Sequence, residues 1–109
     1  MKRFMLALLF MPCLAFSADY ISIEEAASHK GEQRTVCGVV TQTVTQKGFT
    51  YVNFGGRYPN QVFHLFITKP HNYKNLSSLN SKKVCAHGEI TMYRNKPEIT
   101  DPDSINIME

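Results

Sequence analysis

Hydrophobic and polar residues alternate along most of the chain from residue 33 onward, and turn-forming residues separate the alternating segments. Period-two alternation that is rich in β-branched and aromatic residues predicts strands rather than helices. The pattern predicts five strands, at Thr35–Val44, Phe49–Phe54, Gln61–Ile67, Lys82–Tyr93 and Lys96–Met108, the last of them broken at Asp101-Pro102.

Two segments depart from the strand pattern. At Ile23–Lys30, Ser22 can accept a hydrogen bond from the first helical amides while Glu25 reaches back to it, and Gly31 suits the residue that ends the last turn. We therefore expect a short helix there. Pro70–Ser81 combines proline, asparagine and serine, which predicts a loop that contains a short helix at most.

The order of the predicted elements is three strands, a connecting segment and two further strands, which is the order of an OB-fold barrel. The expected fold class is all-β, a five-stranded OB-fold barrel with a short N-terminal helix and a short connecting helix or loop between strands 3 and 4. Gly38 and Gly88 fall inside strands, where a tightly curved barrel needs residues without a side chain.

The alternation also predicts which side chains fill the barrel. In the second strand it leaves two possibilities open. Either Tyr51 and the residues that alternate with it face outward, or Val52 and its alternate residues do. In the other strands one parity is consistently apolar. The expected core residues are Val36, Val40, Phe63, Leu65, Ile67, Val84 and Ile90.

The N-terminus has the pattern of a secretory signal. Two cations precede the apolar stretch Phe4–Phe16, which is too short to span a bilayer as a mature helix. Ala15 and Ser17 place small residues where a signal peptidase cuts. The prediction is a cleaved signal peptide over residues 1–17 and a single domain over residues 18–109, located in the periplasm or secreted.

Cys37 and Cys85 lie on the first and fourth strands, which are neighbours in an OB barrel, and both have the parity opposite to the core. Their side chains should therefore point outward from adjacent strands, where a bridge is geometrically possible. Exported proteins fold in an oxidising compartment, so we predict a disulfide between them.

Charge is distributed unevenly along the chain. Loss of the two cations of the signal peptide would lower the formal charge from +3 to +1, so the mature domain is close to neutral. Between Gln33 and Pro97, however, Glu89 is the single anion. The cations of this segment are Arg34, Lys47, Arg57, Lys69, Lys74, Lys82, Lys83, Arg94 and Lys96. The cation-rich middle favours an anionic partner, whereas the near-neutral total favours a protein-interaction domain.

No residue pattern points to catalysis or to a metal. The four histidines are not spaced as ligands on one helix or strand, and no CxxC pair is present. The serines lack a nucleophile-elbow motif, and Gly55-Gly56 lacks the lysine and hydroxyl residue of a phosphate-binding loop. We expect a protein that is not an enzyme, holds no metal and needs no cofactor.

Three segments carry a resemblance to a known group of proteins. The runs VCGVV, FTYVNFGGRYPNQVFHLFI and KVCAHGEITMYRNKPEITDPDSI resemble small bacterial OB-fold domains that bind nucleic acid, some of which are fused to secreted nucleases. The resemblance extends from about Ile21 to Ile107. It implies an OB fold and a nucleic-acid ligand, and it implies no catalytic residue.

OB barrels usually place ligands on the second and third strands and on the loop between the fourth and fifth. Here that region combines aromatic rings, which stack on bases, with cations, which follow phosphates. The predicted ligand-binding residues are Tyr51, Arg57, Tyr58, His64, Phe66, Tyr93, Arg94 and Lys96. The expected partner is single-stranded DNA or RNA, bound with little base preference. The alternative is a periplasmic or surface domain that binds a protein or an oligosaccharide instead.

Overall fold

The computed structural model describes residues 20–108, so the predicted signal peptide lies outside the described residues. The strands are β1 (Tyr20–Ser22), β2 (Gln33–Gln46), β3 (Phe49–Phe54), β4 (Phe63–Ile67), β5 (Lys83–Glu89), β6 (Thr91–Tyr93), β7 (Lys96–Thr100) and β8 (Ser104–Met108). Short 3-10 helices span Ile23–His29, Pro70–Asn72 and Leu76–Leu79. Within residues 20–108, no helix has the length and apolar character needed to cross a membrane.

The strands form one barrel-like sheet with OB topology. Hydrogen bonds connect the strands in the order β6-β7-β4-β3-β2-β5-β8, and β1 adds to β2 in parallel. This hydrogen-bonded ladder is open, with β6 at one end and β5 near the other. Along the chain, however, only Ile90 separates β5 from β6, so the chain itself links the two sides of the barrel. The predicted OB-fold class is confirmed.

Two predicted strands are each divided in the structure. The predicted fourth strand is interrupted at Ile90, whose N–H donates to the Glu32 carbonyl at 3.0 Å and whose carbonyl accepts from the Gly31 N–H at 2.7 Å. The predicted fifth strand is broken at Asp101-Pro102, as expected, but its halves pair with different strands. β7 pairs with β4 and β6, whereas β8 pairs with β5.

The predicted core is confirmed, because all seven expected residues are fully buried. The structure also decides the open question on β3. Val52 and Phe54 are buried in the core, and Tyr51 lies on the outer side, half-buried. The outer faces of β3 and β4 are therefore available to build a site.

The helix Ile23–His29 closes over the barrel beside Gly38. A Cβ atom at Gly38 would lie 2.6 Å from Cγ2 of Ile23, closer than real side chains allow. Gly88 is equally restricted, because a Cβ there would lie 2.6 Å from Cγ2 of Ile99. Both strand glycines thus make room for a packed isoleucine.

The predicted disulfide is present. Cys37 and Cys85 are directly opposite in the antiparallel β2–β5 pair, with an S–S distance of 2.04 Å. The bridge joins residues 48 positions apart along the chain. It fixes the two strands on the side of the sheet away from the core residues.

Candidate ligand-binding groove

A concave groove of about 570 Å³ lies on the outer side of the barrel. It is lined from β2, β3, β4, the loop between β3 and β4, and the hairpin between β6 and β7. Its aromatic residues are Tyr51, Tyr58 and Tyr93. Its amide side chains are Gln42, Gln46, Asn53 and Gln61, and its charged or titratable side chains are His64, Arg94 and Lys96.

The structure brings six of the eight predicted ligand-binding residues around this groove: Tyr51, Tyr58, His64, Tyr93, Arg94 and Lys96. Arg57 and Phe66 are not among its lining residues. Arg57 is exposed beside Tyr58, while Phe66 packs its ring 5.0 Å from the ring of Tyr51. Ligand binding by the eight residues stays a prediction.

The three tyrosines differ in exposure. Tyr58 is 68% exposed, and Tyr93 is also exposed at the opposite rim. Tyr51 is half-buried between the His64 ring, at 5.3 Å, and the Phe66 ring. Burial raises the pKa of the Tyr51 phenol, with further contributions from Tyr93 and the Glu98 carboxylate. Tyr58 and Tyr93 are thus the rings best placed to meet a ligand.

The loop that carries Tyr58 is tied to β2. The β2–β3 register shifts between Val40 and Gln42, which is the signature of a β-bulge. At this irregularity the Thr41 hydroxyl donates to the Gly56 carbonyl at 2.6 Å. Gln42 Oε1 accepts the backbone N–H of Tyr58 at 2.8 Å. The loop position of Tyr58 is therefore held by side chains of the barrel.

Gly55 begins this loop and is required there. Its φ angle is +81°, in the left-handed region, and a Cβ would lie 2.8 Å from side-chain atoms of both Ile23 and Val62. Only glycine accommodates that combination without strain. Gly55 thus sets the path of the loop that carries Tyr58.

A histidine–carboxylate pair lies at the base of the groove. His64 and Glu98 are opposite each other in the parallel β4–β7 pair, and His64 Nε2 donates to Glu98 Oε1 at 2.7 Å. Burial lowers the pKa of His64, and the Glu98 carboxylate opposes that effect. The ring is therefore neutral at pH 7, with its proton on Nε2.

His64 lies on the outer side of β4, as the sequence predicts, but other residues cover it there, and it is only 2% exposed. Tyr51, Glu98 and Gln61 enclose it. Its role in ligand binding stays a prediction. The sequence did not single out Glu98 as a site residue, because no local pattern reveals a parallel pairing between strands 34 residues apart.

Two amide side chains on the groove lining are incompletely paired. Asn53 and Gln61 are both buried, and among residues 20–108 neither Asn53 Oδ1 nor Gln61 Oε1 has a hydrogen-bond partner. Their nitrogens do have partners, since Asn53 Nδ2 donates to Gln42 Oε1 at 3.0 Å and Gln61 Nε2 lies 3.4 Å from His64 Nδ1. No sequence pattern singles out either residue.

The cations of the groove lie at its β6–β7 rim. The Arg94 guanidinium lies 5.3 Å from the centre of the Tyr93 ring, within the range of a cation–π contact. The Lys96 ammonium donates to the backbone carbonyl of Gln61 at 2.8 Å. Across residues 20–108, no three histidine, cysteine, aspartate or glutamate side chains cluster as a metal site.

No protein-family model and no curated protein matches this sequence. Solved structures do resemble it. OBody AM3L15, bound to hen egg-white lysozyme, has 17% identity and a TM-score of 0.63 over 82% of this chain and 92% of its own. The hypothetical protein ygiW from E. coli has 18% identity and a TM-score of 0.54 over 84% and 92%.

The asparaginyl-tRNA synthetase from Pyrococcus horikoshii is also similar, with 8% identity and a TM-score of 0.58 over 82% of this chain. This chain spans only 23% of the synthetase. Identities this low establish shared architecture and nothing more. The chain is an OB-fold domain.

Proposed function

We propose that this protein is an exported, non-catalytic OB-fold module that binds single-stranded nucleic acid through the groove. The observation that carries the proposal is the placement of Tyr51, Tyr58 and Tyr93 around one groove, with Arg94 and Lys96 on the same lining. Stacking rings and cations are the two components of single-strand binding on OB barrels.

The stacking component rests on the exposed rings of Tyr58 and Tyr93. A stacked base contributes about 1–3 kcal/mol and makes little distinction among sequences. A groove of about 570 Å³ is in the range of pockets that hold a small ligand, so it accommodates one or two nucleotides rather than a duplex.

The electrostatic component is modest. Two cations line the groove, and the lining residue His64 is bonded to the carboxylate of Glu98. Few phosphates would therefore be neutralised, which predicts a dissociation constant of about micromolar or weaker and a shallow salt dependence.

Export is supported by the disulfide. A Cys37–Cys85 bridge persists in an oxidising compartment and is rare in a reducing cytosol. The N-terminal pattern of residues 1–17 points the same way. Periplasm and extracellular space are both compatible with these observations.

The proposal is tested by fluorescence anisotropy with labelled oligo-dT, oligo-rU and duplex DNA, at low and moderate salt. Single strands should bind and the duplex should not. Tyr58→Ala and Arg94→Ala should each weaken binding about tenfold while leaving the melting temperature nearly unchanged. The matched control is Tyr20→Ala, which removes a tyrosine that is 62% exposed and does not line the groove.

The competing function is a protein-interaction domain. The formal charge of about +1 on the mature chain favours it, and OBody AM3L15 is an OB-like structure bound to a protein, lysozyme. Absence of oligonucleotide binding at low salt would contradict the nucleic-acid function. The protein-interaction function would then take its place.

A further inference from the structure

The orientation of the Asn53 amide is determined by its neighbours. The backbone N–H of Tyr58 can only donate, so the Gln42 atom 2.8 Å from it must be the acceptor Oε1. Asn53 therefore presents its Nδ2 group to that oxygen at 3.0 Å. The amide atom left without a partner is then an acceptor, Oδ1.

The orientation of the Gln61 amide is likewise determined by its neighbours. The Glu98 carboxylate can only accept, so His64 Nε2 is the donor to it. The Gln61 amide places Nε2, which can only donate, 3.4 Å from His64 Nδ1, so Nδ1 is the acceptor. The unpartnered atom of Gln61, Oε1, is again an acceptor.

We propose that Asn53 and Gln61 form a base-recognition subsite on the groove lining, which accepts hydrogen bonds from the N–H groups of one nucleobase and prefers guanine. This inference rests on the proposed single-strand binding function and goes beyond it, because stacking alone confers little base preference. Two hydrogen-bond acceptors that lack partners on one groove are best satisfied by a ligand with two hydrogen-bond donors.

Guanine fits that requirement better than the other bases. Its Watson–Crick edge carries adjacent N1–H and N2–H donors. Thymine and uracil carry one N–H between two carbonyl acceptors, and adenine and cytosine carry one amino group beside a ring-nitrogen acceptor. A site of buried acceptors rejects a ligand edge that is itself rich in acceptors, since groups then remain unpaired. Bases unstacked from a single strand expose this edge to a protein.

The two oxygens are buried beneath the groove surface. The terminal torsion of an amide side chain is soft, so the proposal requires each oxygen to turn toward the groove while its nitrogen keeps its partner, Gln42 Oε1 or His64 Nδ1. Tyr58, which is held by Gln42, lies on the same lining. In the proposed complex, a base stacked on the Tyr58 ring directs its edge toward the two amides.

The first experiment compares heptamers that differ at one position in fluorescence anisotropy: T7, T3GT3 and T3IT3, where inosine lacks the 2-amino group of guanine. We expect T3GT3 to bind about tenfold more tightly than T7, with T3IT3 in between. Equal affinity for T7 and T3GT3 would overturn the subsite and leave single-strand binding intact. No binding of any heptamer would overturn both proposals.

The second experiment uses Gln61→Met, which keeps the side-chain length and removes the orphan acceptor. The preference for T3GT3 over T7 should fall below about twofold while the protein stays folded, because the substitution removes the unpaired Gln61 Oε1 together with the Nε2 donor that faces His64 Nδ1. The matched control is Gln33→Met, which changes an exposed residue outside the groove. A full guanine preference in Gln61→Met would overturn the assignment of this residue.

Discussion

His64 and Glu98 meet across the parallel pair of β4 and β7, with 2.7 Å between Nε2 and the carboxylate. The pair joins the third predicted strand to the fifth. It also holds the ring in the tautomer that orients Gln61. One buried contact therefore contributes both to barrel assembly and to the groove.

Titration of His64 should make stability depend on pH. Burial lowers the folded-state pKa of His64 below the ordinary value of 6.5, so the unfolded chain takes up the proton first as pH falls. The free energy of unfolding should therefore decrease as pH drops below about 6.5. Urea unfolding between pH 5 and 8 measures this.

His64→Gln should remove that part of the pH dependence, because glutamine can still donate to Glu98 but does not titrate. His71→Gln changes an exposed histidine and should retain the wild-type profile. Identical pH profiles for wild type and His64→Gln would show that this ring does not control acid stability.

Reduction of the Cys37–Cys85 disulfide should destabilise the domain strongly. The bridge closes a loop between residues 48 apart, which in the chain-entropy model stabilises the folded state by about 4 kcal/mol. Urea unfolding with and without reductant measures the loss. A Cys37→Ala/Cys85→Ala variant should match the reduced protein and not respond to reductant, and two free thiols in the non-reduced mature protein would contradict the bridge.

Neighbouring valines on β2 offer a matched test of strand orientation. Val40 is fully buried, whereas Val39 is 49% exposed and lies opposite Lys83. Val40→Asp should lower the free energy of unfolding by more than about 4 kcal/mol, because it buries an unpaired charge. The domain should therefore unfold. Val39→Asp should change stability by about 1 kcal/mol or less. Thermal melts of equal midpoint for the two variants would contradict the assigned orientation of β2.

Gly38→Ala should destabilise the protein through a clash with Ile23. The added methyl group would lie 2.6 Å from Ile23 Cγ2, and overpacking of this kind costs about 1–3 kcal/mol. In an Ile23→Ala background the same substitution should cost less, since the clashing atom is absent. A double-mutant cycle from urea unfolding measures the coupling, and purely additive costs would argue against the contact.

The sequence by itself determined where most of the strands lie, the seven core residues and the Cys37–Cys85 bridge. Each of these follows from a period of two or from the order of elements, which are local properties of the chain. The pairing of β1 with β2 and the break at Ile90 were not predictable in this way. Both depend on hydrogen bonds between segments distant in sequence.

The tertiary structure alone decided the inner part of the groove. Outer parity predicts an exposed His64, but the parallel β7 strand and the β3–β4 loop cover it, and Glu98 becomes its partner. The same enclosure buries Asn53 and Gln61 and leaves one oxygen of each without a partner. Alternation along a strand specifies which way a side chain points, whereas its burial depends on which distant segments pack above it.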